Sequence, residues 1–278
     1  MKIKFLGGTR EVGRAAIAVK TEKTQLLLDY GVMINHEPGF PMHVPPKEVD
    51  AVILTKTLIS DFIHLSGYYL PYEYLELQSM TRSCVHLDFR KKQTVGDMQF
   101  QLLDSGHLPG GAQAFVEADT KKLVYTGDYN TINTRLLRGA DRDYGNLDAL
   151  IIESTYADED HPDRLALEKE FVEKVTEVVE NGGTVLIPAF GVGRSQEIAC
   201  IFAAYHVEYP VTMDGMAREV NRIMMSHTSY MRDPQLFMNA IHNATWVEGW
   251  RDRRTAAKKP GAIISPAGML KGGPAAFY

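Results

Sequence analysis

The stretch Leu123-Val-Tyr-Thr-Gly-Asp128 is a short apolar run followed by a turn that carries a carboxylate. The same arrangement occurs at Leu26-Leu-Leu-Asp29 and at Leu150-Ile-Ile-Glu153. Short β-rich runs bounded by glycines and polar turns predict strands, and the turn after each strand can aim its acid into a shared cleft. The front half of the chain is therefore predicted to be strand-dominated, with antiparallel pairing near its start.

The back half follows a different period, with helices alternating with strands after about residue 163. This βα alternation predicts a parallel α/β unit, and we place the domain boundary near Pro162. Glycines punctuate both halves and mark the predicted ends of elements. Strands are predicted at 2–5, 15–20, 25–29, 50–55, 99–103, 112–117, 123–125, 149–152, 184–187, 211–214 and 262–264, and helices at 57–65, 165–181 and 194–205.

The composition is that of an ordinary globular protein. The chain has 278 residues, of which 45% are hydrophobic and 23% charged, and this excludes the disordered, collagenous and disulfide-rich classes. Cys84 and Cys200 lie far apart and outside any CxxC pattern, so we expect a reducing cytoplasm and no thiolate zinc site. No apolar run reaches the length of a membrane span. The net charge of -5 argues against a basic nucleic-acid coat but leaves room for a local basic groove.

Four side chains that can bind metal follow predicted strands: Asp29, His107, Asp128 and Glu153. Imidazole nitrogen and carboxylate oxygen together are ligands of zinc or manganese. Each residue alone has a structural explanation, because Asp commonly forms turns and a lone His is more often a satisfied structural residue. The four together favour a metal site.

Ordered motifs run along nearly the whole chain. They are Phe5-Leu-Gly-Gly-Thr-Arg-Glu-Val-Gly-Arg14, Leu28-Asp-Tyr-Gly31, Asp50-Ala-Val-Ile-Leu-Thr55, Gly106-His-Leu-Pro-Gly-Gly111, Tyr125-Thr-Gly-Asp128, Glu153-Ser-Thr-Tyr156, Ile187-Pro-Ala-Phe-Gly-Val-Gly-Arg-Ser-Gln-Glu197 and Ser265-Pro-Ala-Gly-Met-Leu-Lys-Gly-Gly-Pro274. This set resembles the β-CASP branch of the metallo-β-lactamase superfamily. Within that branch the chain is most similar to archaeal enzymes related to the cleavage-and-polyadenylation endonuclease, which act on RNA.

The resemblance implies a fold and a chemistry. It implies a metallo-β-lactamase αββα four-layer sandwich over 1–162, followed by an incomplete, Rossmann-like β-CASP α/β domain over 163–278. Intact members hydrolyse RNA phosphodiesters with two zinc ions, which lower the pKa of a bridging water and stabilise charge on the reacting oxygens. By the resemblance, His107 would ligate one metal and Asp128 would bridge both. Asp29 would support the site as a strand-end carboxylate, and Glu153 would orient or protonate groups at the reaction centre.

Two departures from the family pattern concern the metal ligands. The family follows its Asp-Ala-Val-Ile-Leu-Thr-type strand with His-x-His-x-Asp-His, whereas this chain continues Lys56-Thr-Leu-Ile-Ser-Asp61. Aligning Asp61 and His64 with that motif requires insertions and leaves two histidines unmatched, so we favour a deletion near 55–56, which gives His64 no metal role. The family also carries two further histidines beyond its counterpart of Pro274. We therefore expect two ligands where a catalytic zinc needs about three, and doubtful zinc occupancy.

Other residues are candidates for phosphate contacts. Gly193 and Arg194 open a predicted helix after a strand and could hold an RNA phosphate, although a tight βα turn whose Arg pairs with a carboxylate is equally consistent. Ser265 and Lys271 lie in a glycine-rich turn where lysine can meet phosphate. The remaining basic residues could add contacts to RNA phosphates, but a solvated charged loop is favoured: Arg251, Arg253, Arg254, Lys258 and Lys259. Trp246 and Trp250, at helical spacing, are interpreted as core or helix-packing residues rather than as a platform for base stacking.

The sequence thus predicts a member of the metal-dependent β-CASP ribonucleases that is impaired or inactive as this chain. One alternative is a non-catalytic RNA-binding or partner subunit, and another is a truncated relic without an independent function. A small-molecule metallo-hydrolase such as a thioesterase is disfavoured, because it leaves the acidic and glycine motifs of the back half unexplained. The expected partners are RNA and either a second copy or a full-length paralogue, with no membrane association.

Overall fold

The computed structural model describes residues 1–11, 13–31, 39–55, 74–266 and 273–278. It is a mixed α/β protein in which the described residues form three sheets, one of them entirely parallel. The chain forms two compact units, and each unit takes segments from several parts of the sequence. The domain boundary predicted near Pro162 stays a prediction. Unit 1 comprises Met1–Ser105, Gly110–Asn130 and Ala140–Glu153, and unit 2 comprises Gly106–Pro109, Thr131–Gly139 and Ser154–Tyr278.

Unit 1 contains two sheets with strand orders β1-β2-β3-β4 and β5-β6-β7-β8-β9. The pairing is antiparallel except between β3 and β4 and between β8 and β9, where it is parallel. Side chains of both sheets share one core, to which Leu26 and Leu28 contribute from one sheet and Val116 and Leu123 from the other. The elements are β1 (Lys2–Gly7), β2 (Ala16–Lys20), β3 (Gln25–Tyr30), β4 (Ala51–Ile53), α1 (Tyr74–Ser83), β5 (Gln93–Val95), β6 (Met98–Asp104), β7 (Ala112–Ala118), β8 (Lys121–Tyr125) and β9 (Ala149–Ile151).

The predicted strands of the front half are all present, with ends that differ by one or two residues. The early antiparallel pairing is confirmed, because β1, β2 and β3 form an antiparallel meander. Strand β5 and helix α1 were not predicted, since β5 is only three residues long and α1 is rich in polar residues. The predicted helix over 57–65, with Asp61 and His64, lies outside the described residues.

Unit 2 is built on a parallel sheet with the strand order β10-β13-β11-β12. Helices between consecutive strands provide the crossovers that parallel pairing requires. The βα alternation predicted for the back half is therefore confirmed. The elements are α2 (Arg164–Glu180), β10 (Thr184–Pro188), α3 (Arg194–Ala204), β11 (Val211–Met213), α4 (Ala217–Met225), α5 (Pro234–Asn243), β12 (Thr245–Trp246), α6 (Trp250–Ala256) and β13 (Gly261–Ser265).

The prediction for the tryptophans holds for Trp246, which packs against the core of unit 2, whereas Trp250 is 62% exposed. Their helical spacing does not place them in one helix, because Trp246 ends β12 and Trp250 begins α6. The interpretation of the basic cluster as a loop was wrong, since Arg251, Arg253 and Arg254 lie in α6. Helix propensity and the spacing of apolar residues did not predict this short helix, because it begins only four residues after a strand. Within the part of the chain that the structure describes, no helix combines the length and the hydrophobicity that crossing a membrane requires.

A buried ion-pair network fixes residues 131–139 in unit 2. Glu168 on α2 pairs with Arg135 at 2.7 Å and with Arg164 at 2.8 Å, and its side chain is only 4% exposed. Glu197 on α3 pairs with Arg164 and accepts hydrogen bonds from the amides of Arg135 and Leu136 at 2.9 and 2.7 Å. The two glutamates thus accept hydrogen bonds from the backbone of residues 131–139 and neutralise Arg135, although this segment precedes both helices in the sequence.

We predict that Glu197→Ala lowers the free energy of unfolding by about 3–5 kcal/mol, because it removes one of the two carboxylate partners of Arg164 and the acceptor of the Arg135 and Leu136 amides. Urea unfolding followed by tryptophan fluorescence measures the effect in unit 2, which contains Trp246 and Trp250. The matched control is Glu170→Ala, which removes an exposed partner of Lys174 on α2 and should change stability little. Equal effects of the two substitutions would contradict the role assigned to the network.

Candidate functional site

The carboxylate of Asp29 joins three strand ends of unit 1. It accepts hydrogen bonds from the Thr55 amide at 2.8 Å, from Thr55 Oγ1 at 2.7 Å and from Tyr125 Oη at 2.9 Å. These partners lie at the ends of β4 and β8, while Asp29 lies near the end of β3. The backbone of Asp29 has φ of 56°, a left-handed conformation that Asp tolerates better than most residues. The predicted strand-end carboxylate therefore has a structural function as a clamp.

Thr55 is fixed from several sides. Its side chain is buried, and its carbonyl oxygen accepts a hydrogen bond from the Ala112 amide at 2.9 Å. Gly127 packs directly against it: a Cβ on Gly127 would lie 2.7 Å from Thr55 Oγ1, and Gly127 has φ of 55°. Only glycine satisfies both constraints, which accounts for the glycine between Thr126 and Asp128.

The hydroxyl of Tyr125 donates to Asp29 from a largely buried position. Burial, followed by the negative charge of Asp29 and then that of Asp128, raises the pKa of the Tyr125 phenol far above its ordinary value. The phenol therefore stays protonated at neutral pH and donates to the carboxylate. Asp128 follows Gly127, which packs against Thr55, so the turn that carries Asp128 lies beside the clamp.

Glu153 contacts the turn that carries Asp128. The Glu153 amide donates to Thr126 Oγ1 at 3.4 Å, and Glu153 Oε1 accepts a hydrogen bond from the Tyr129 amide, also at 3.4 Å. Both acidic side chains are half-buried. The structure therefore gathers Asp29, Asp128 and Glu153 at one group of strand ends, as the sequence predicted for the carboxylates of unit 1.

His107 belongs to unit 2, together with the rest of residues 106–109. Its neighbour Leu108 packs on the turn before α3, because a Cβ on Gly193 would lie 2.5 Å from Leu108 Cδ2. Gly193 has φ of 78° and is therefore restricted to glycine for two reasons. The structure thus brings the segment that contains His107 to the predicted phosphate-binding turn.

The donor set does not fit the two-zinc centre that the resemblance implies. Across residues 1–11, 13–31, 39–55, 74–266 and 273–278, no group of three or more His, Cys, Asp or Glu side chains is placed to hold a metal ion. Asp128 and His107 remain the two predicted ligands, and a catalytic zinc needs about three protein donors.

The turn before α3 uses most of its polar groups internally. The Gly193 amide donates to Gln196 Oε1 at 2.8 Å, the Arg194 amide to Val192 O and the Ser195 amide to Phe190 O. Gln196 is fully buried, and its Nε2 donates to Asn221 Oδ1 at 2.7 Å. The backbone amides predicted to cradle a phosphate are therefore occupied, and the exposed guanidinium of Arg194 is the group left to contact one.

The other predicted phosphate contacts differ in their surroundings. Among the described residues Arg194 has no carboxylate partner, so the alternative of an Arg–carboxylate turn receives no support there. Ser265 ends β13 and is fully buried, and its Oγ has no hydrogen-bond partner among the residues that the structure describes. Lys271 lies outside the described residues.

Three structural residues of these sites were missed by sequence reasoning. Thr55 and Tyr125 complete the Asp29 clamp, and Gln196 shapes the turn before α3. Tyr125 lies 96 residues from Asp29, and no local pattern connects them. Only the buried position of Tyr125 beside the Thr-Gly-Asp turn could have suggested a hydroxyl that needs a partner.

Comparisons with known proteins match the whole length of the chain. A protein of Methanocaldococcus jannaschii named Probable RNase MJ4 is 32% identical over 321 residues, which cover 100% of this chain and 75% of that protein. The RNase J-like protein of the same organism is 30% identical over 311 residues, which cover 99% of this chain and 73% of that protein. The chain belongs to the archaeal β-CASP ribonucleases.

Other β-CASP relatives are longer than this chain. RNase aCSPSF2 of Saccharolobus solfataricus is 35% identical over 311 residues, and the match covers 99% of this chain and 63% of that protein. The alignment is longer than the 278 residues of the chain, so the relative has residues inside the matched stretch that have no counterpart here. The chain thus spans less than two thirds of this relative and lacks internal segments of it.

Solved structures support the fold. A crystal structure of a protein of unknown function from Enterococcus faecalis matches 95% of this chain and 76% of its own, with a TM-score of 0.57 and 12% identity. At that identity the likeness concerns the fold alone. No model of a protein family matches the chain.

We predict that Tyr125→Phe lowers the free energy of unfolding by about 2 kcal/mol at neutral pH, because Asp29 loses one of its hydrogen bonds. A phenol with a raised pKa in the folded state contributes stability that is lost as pH rises above about 10, its unfolded value. The wild-type protein should therefore lose stability above pH 10 more steeply than Tyr125→Phe. Urea unfolding at a series of pH values measures both effects.

The control for this substitution is Tyr156→Phe, which removes a hydroxyl from a side chain that is 60% exposed. It should leave both the stability and its pH dependence unchanged. A Tyr125→Phe protein that matches the wild type in stability and in pH dependence would contradict the clamp.

Proposed function

We propose that this chain is an RNA-binding member of the β-CASP ribonucleases in which metal-dependent phosphodiester hydrolysis is impaired or absent. The observation that carries the proposal is the closure of the strand ends around Thr55, which donates two hydrogen bonds to Asp29. Thr55 is the position after which the family's ligand motif would begin. In this chain the position is buried and tied to the neighbouring strands.

The proposal includes a finer account of the fold. Unit 1 corresponds to the metallo-β-lactamase αββα sandwich, shortened near 55–56, and unit 2 to a β-CASP domain. The shared core of two sheets supports the first assignment, and the parallel β10-β13-β11-β12 sheet supports the second. The gaps in the alignment with the Saccharolobus solfataricus protein support an internal shortening.

The chemistry of the donors supports loss of hydrolysis. Asp29 directs both carboxylate oxygens to neighbouring strands, and Glu153 accepts from the Tyr129 amide. Asp128 and His107 would be the remaining ligands. Two ligands leave a zinc ion without the third protein donor that a catalytic site needs, so we assign no hydrolytic step to this chain.

An RNA-binding role is favoured over that of a relic, because both units have well-buried cores. Leu26 and Leu28 in unit 1, and Phe202 and Phe237 in unit 2, are completely or almost completely buried. RNA would contact exposed cations of unit 2, among them Arg194. Lys271, which lies outside the described residues, is a further proposed contact from its place in the sequence motif. A second copy or a full-length paralogue is the proposed protein partner. The free thiols of Cys84 and Cys200 support a reducing compartment such as the cytoplasm.

The test combines metal analysis with RNA assays on the purified chain. We expect less than one zinc per chain by mass spectrometry and no cleavage of labelled single-stranded RNA with added zinc or manganese. We expect salt-dependent RNA binding, which fluorescence anisotropy measures as a function of salt concentration. Asp128→Ala should behave like the wild type in all three measurements.

The matched control is Asp119→Ala, which changes an exposed turn residue of unit 1. Two zinc ions per chain, together with cleavage that Asp128→Ala abolishes and Asp119→Ala preserves, would overturn the proposed loss of hydrolysis. Absence of RNA binding would overturn the RNA-binding role and favour the relic.

A further inference from the structure

A basic groove runs along helix α6 of unit 2. It has a volume of about 700 Å³ and is open to solvent, and its walls combine an aromatic side chain with cations and one hydroxyl. Arg251, Arg254 and Lys258 lie three and four residues apart, so they share one face of the helix and of the turn that follows it. The residues that line this groove, called the α6 groove below, are Trp250, Arg251, Arg254, Thr255, Lys258 and Lys259.

The cations of the α6 groove are not neutralised by neighbouring carboxylates. Among the residues that the structure describes, Arg251, Arg254, Lys258 and Lys259 form no ion pair. Some exposed lysines elsewhere are paired, as Lys174 is with Glu170 and Lys121 with Asp148. The whole chain carries a net charge of -5, so this groove concentrates positive charge on an acidic protein. Unpaired cations clustered on one face favour a polyanionic ligand.

Arg253, the remaining cation of the cluster, has a different function. Its Nε and Nη2 donate to the buried Asp214 at 2.7 and 3.0 Å, and its guanidinium lies over the Trp250 ring, 5.2 Å from the centroid. Phe277 packs edge-on against the same indole at a centroid distance of 5.2 Å. Trp250 is therefore held in place on the groove wall.

The held indole is nevertheless 62% exposed. A large aromatic side chain that is fixed by its neighbours and still open to solvent is suited to stack on an unpaired base. Cations beside such a ring are typical of surfaces that bind single-stranded nucleic acid, in which phosphates and bases are contacted together. An acidic peptide would use the cations but would leave the indole without a stacking partner.

We propose that the α6 groove binds single-stranded RNA, with Arg251, Arg254, Lys258 and Lys259 contacting phosphates and Trp250 stacking on a base. The inference rests on the RNA-binding role proposed above and names a surface for it. Helix α6 and its turn space the outer cations by about 10 Å, at 1.5 Å per residue. The groove therefore contacts successive nucleotides of one strand.

The test compares two variants that each lose four positive charges. The groove variant replaces Arg251, Arg254, Lys258 and Lys259 by alanine, and the control replaces the exposed Lys2, Lys4, Lys169 and Lys174. Anisotropy with labelled oligouridylate measures the dissociation constant from low to high salt. The groove variant should bind about 100-fold more weakly, and the slope of its affinity against log salt concentration should fall by about 3, since each phosphate contact contributes about 0.7. The control variant should stay close to the wild type.

Stacking is tested in a protein that keeps one tryptophan. The chain has two tryptophans, so Trp246→Phe leaves Trp250 as the reporter, and its fluorescence should be quenched by oligouridylate. In the wild-type background, Trp250→Leu should weaken binding by about 5- to 100-fold, and Trp250→Phe should restore most of it. Thermal melts of each variant identify any loss of RNA binding that comes from unfolding. Trp250→Phe provides the folded protein with which Trp250→Leu is compared.

The outcomes separate this proposal from the proposed function. A wild-type chain that binds no oligouridylate contradicts the RNA-binding role itself. Binding that both four-site variants weaken equally, or that neither weakens, overturns the α6 groove while the RNA-binding role stands. Displacement of oligouridylate by polyglutamate at equal charge concentration, without dependence on Trp250, identifies the groove as a site for acidic protein and also overturns the proposal.

Discussion

One half-buried carboxylate organises the strand ends of unit 1. Asp29 accepts two hydrogen bonds from Thr55 and one from Tyr125, and Gly127 must lack a side chain for this closure to form. A carboxylate in this setting is stable because each of its oxygens has a donor, including a phenol whose pKa is raised by burial. The position of the turn that carries Asp128 depends on that closure. The same side chain that resembles part of a metal centre is in this chain a structural bond between strands.

The fold followed closely from the sequence where elements were long and strongly patterned. Helices α2 and α3 and every strand except β5 and β12 were predicted within one or two residues, because alternation and apolar runs determine which faces are buried. Short elements were missed: α6 spans seven residues between two strands, and its polar composition gave no periodic signal. Local sequence patterns also could not predict that residues 131–139 belong to unit 2, because the contacts that hold them there, such as the ion pair of Arg135 with Glu168, join residues far apart in the chain.

The sequence identified which residues belong to the candidate sites, but it did not show what those residues do. The acids at strand ends were identified from their positions, and the structure gathers Asp29, Asp128 and Glu153 in unit 1. Sequence alone could not show that Asp29 has its hydrogen bonds satisfied by Thr55 and Tyr125, because those contacts join residues far apart in the chain. At the turn before α3, the motif indicated phosphate binding, yet Gln196 and the backbone use most of its donors internally. Family membership therefore tells where these residues come from, whereas their contacts in this structure determine their chemistry.

The ion pairs of Arg135 have a consequence for synthesis and dissection of the protein. Residues 131–139 leave the ribosome before α2 and α3, whose Glu168 and Glu197 receive them, so unit 2 completes its core only after its later helices have emerged. A gene cut at codon 162 would separate donor from acceptor, because the first half would keep all of unit 1 and the second half would lack residues 106–109 and 131–139 of unit 2. Recombination between members of this lineage should accordingly preserve these distant stretches together, as a single inherited block.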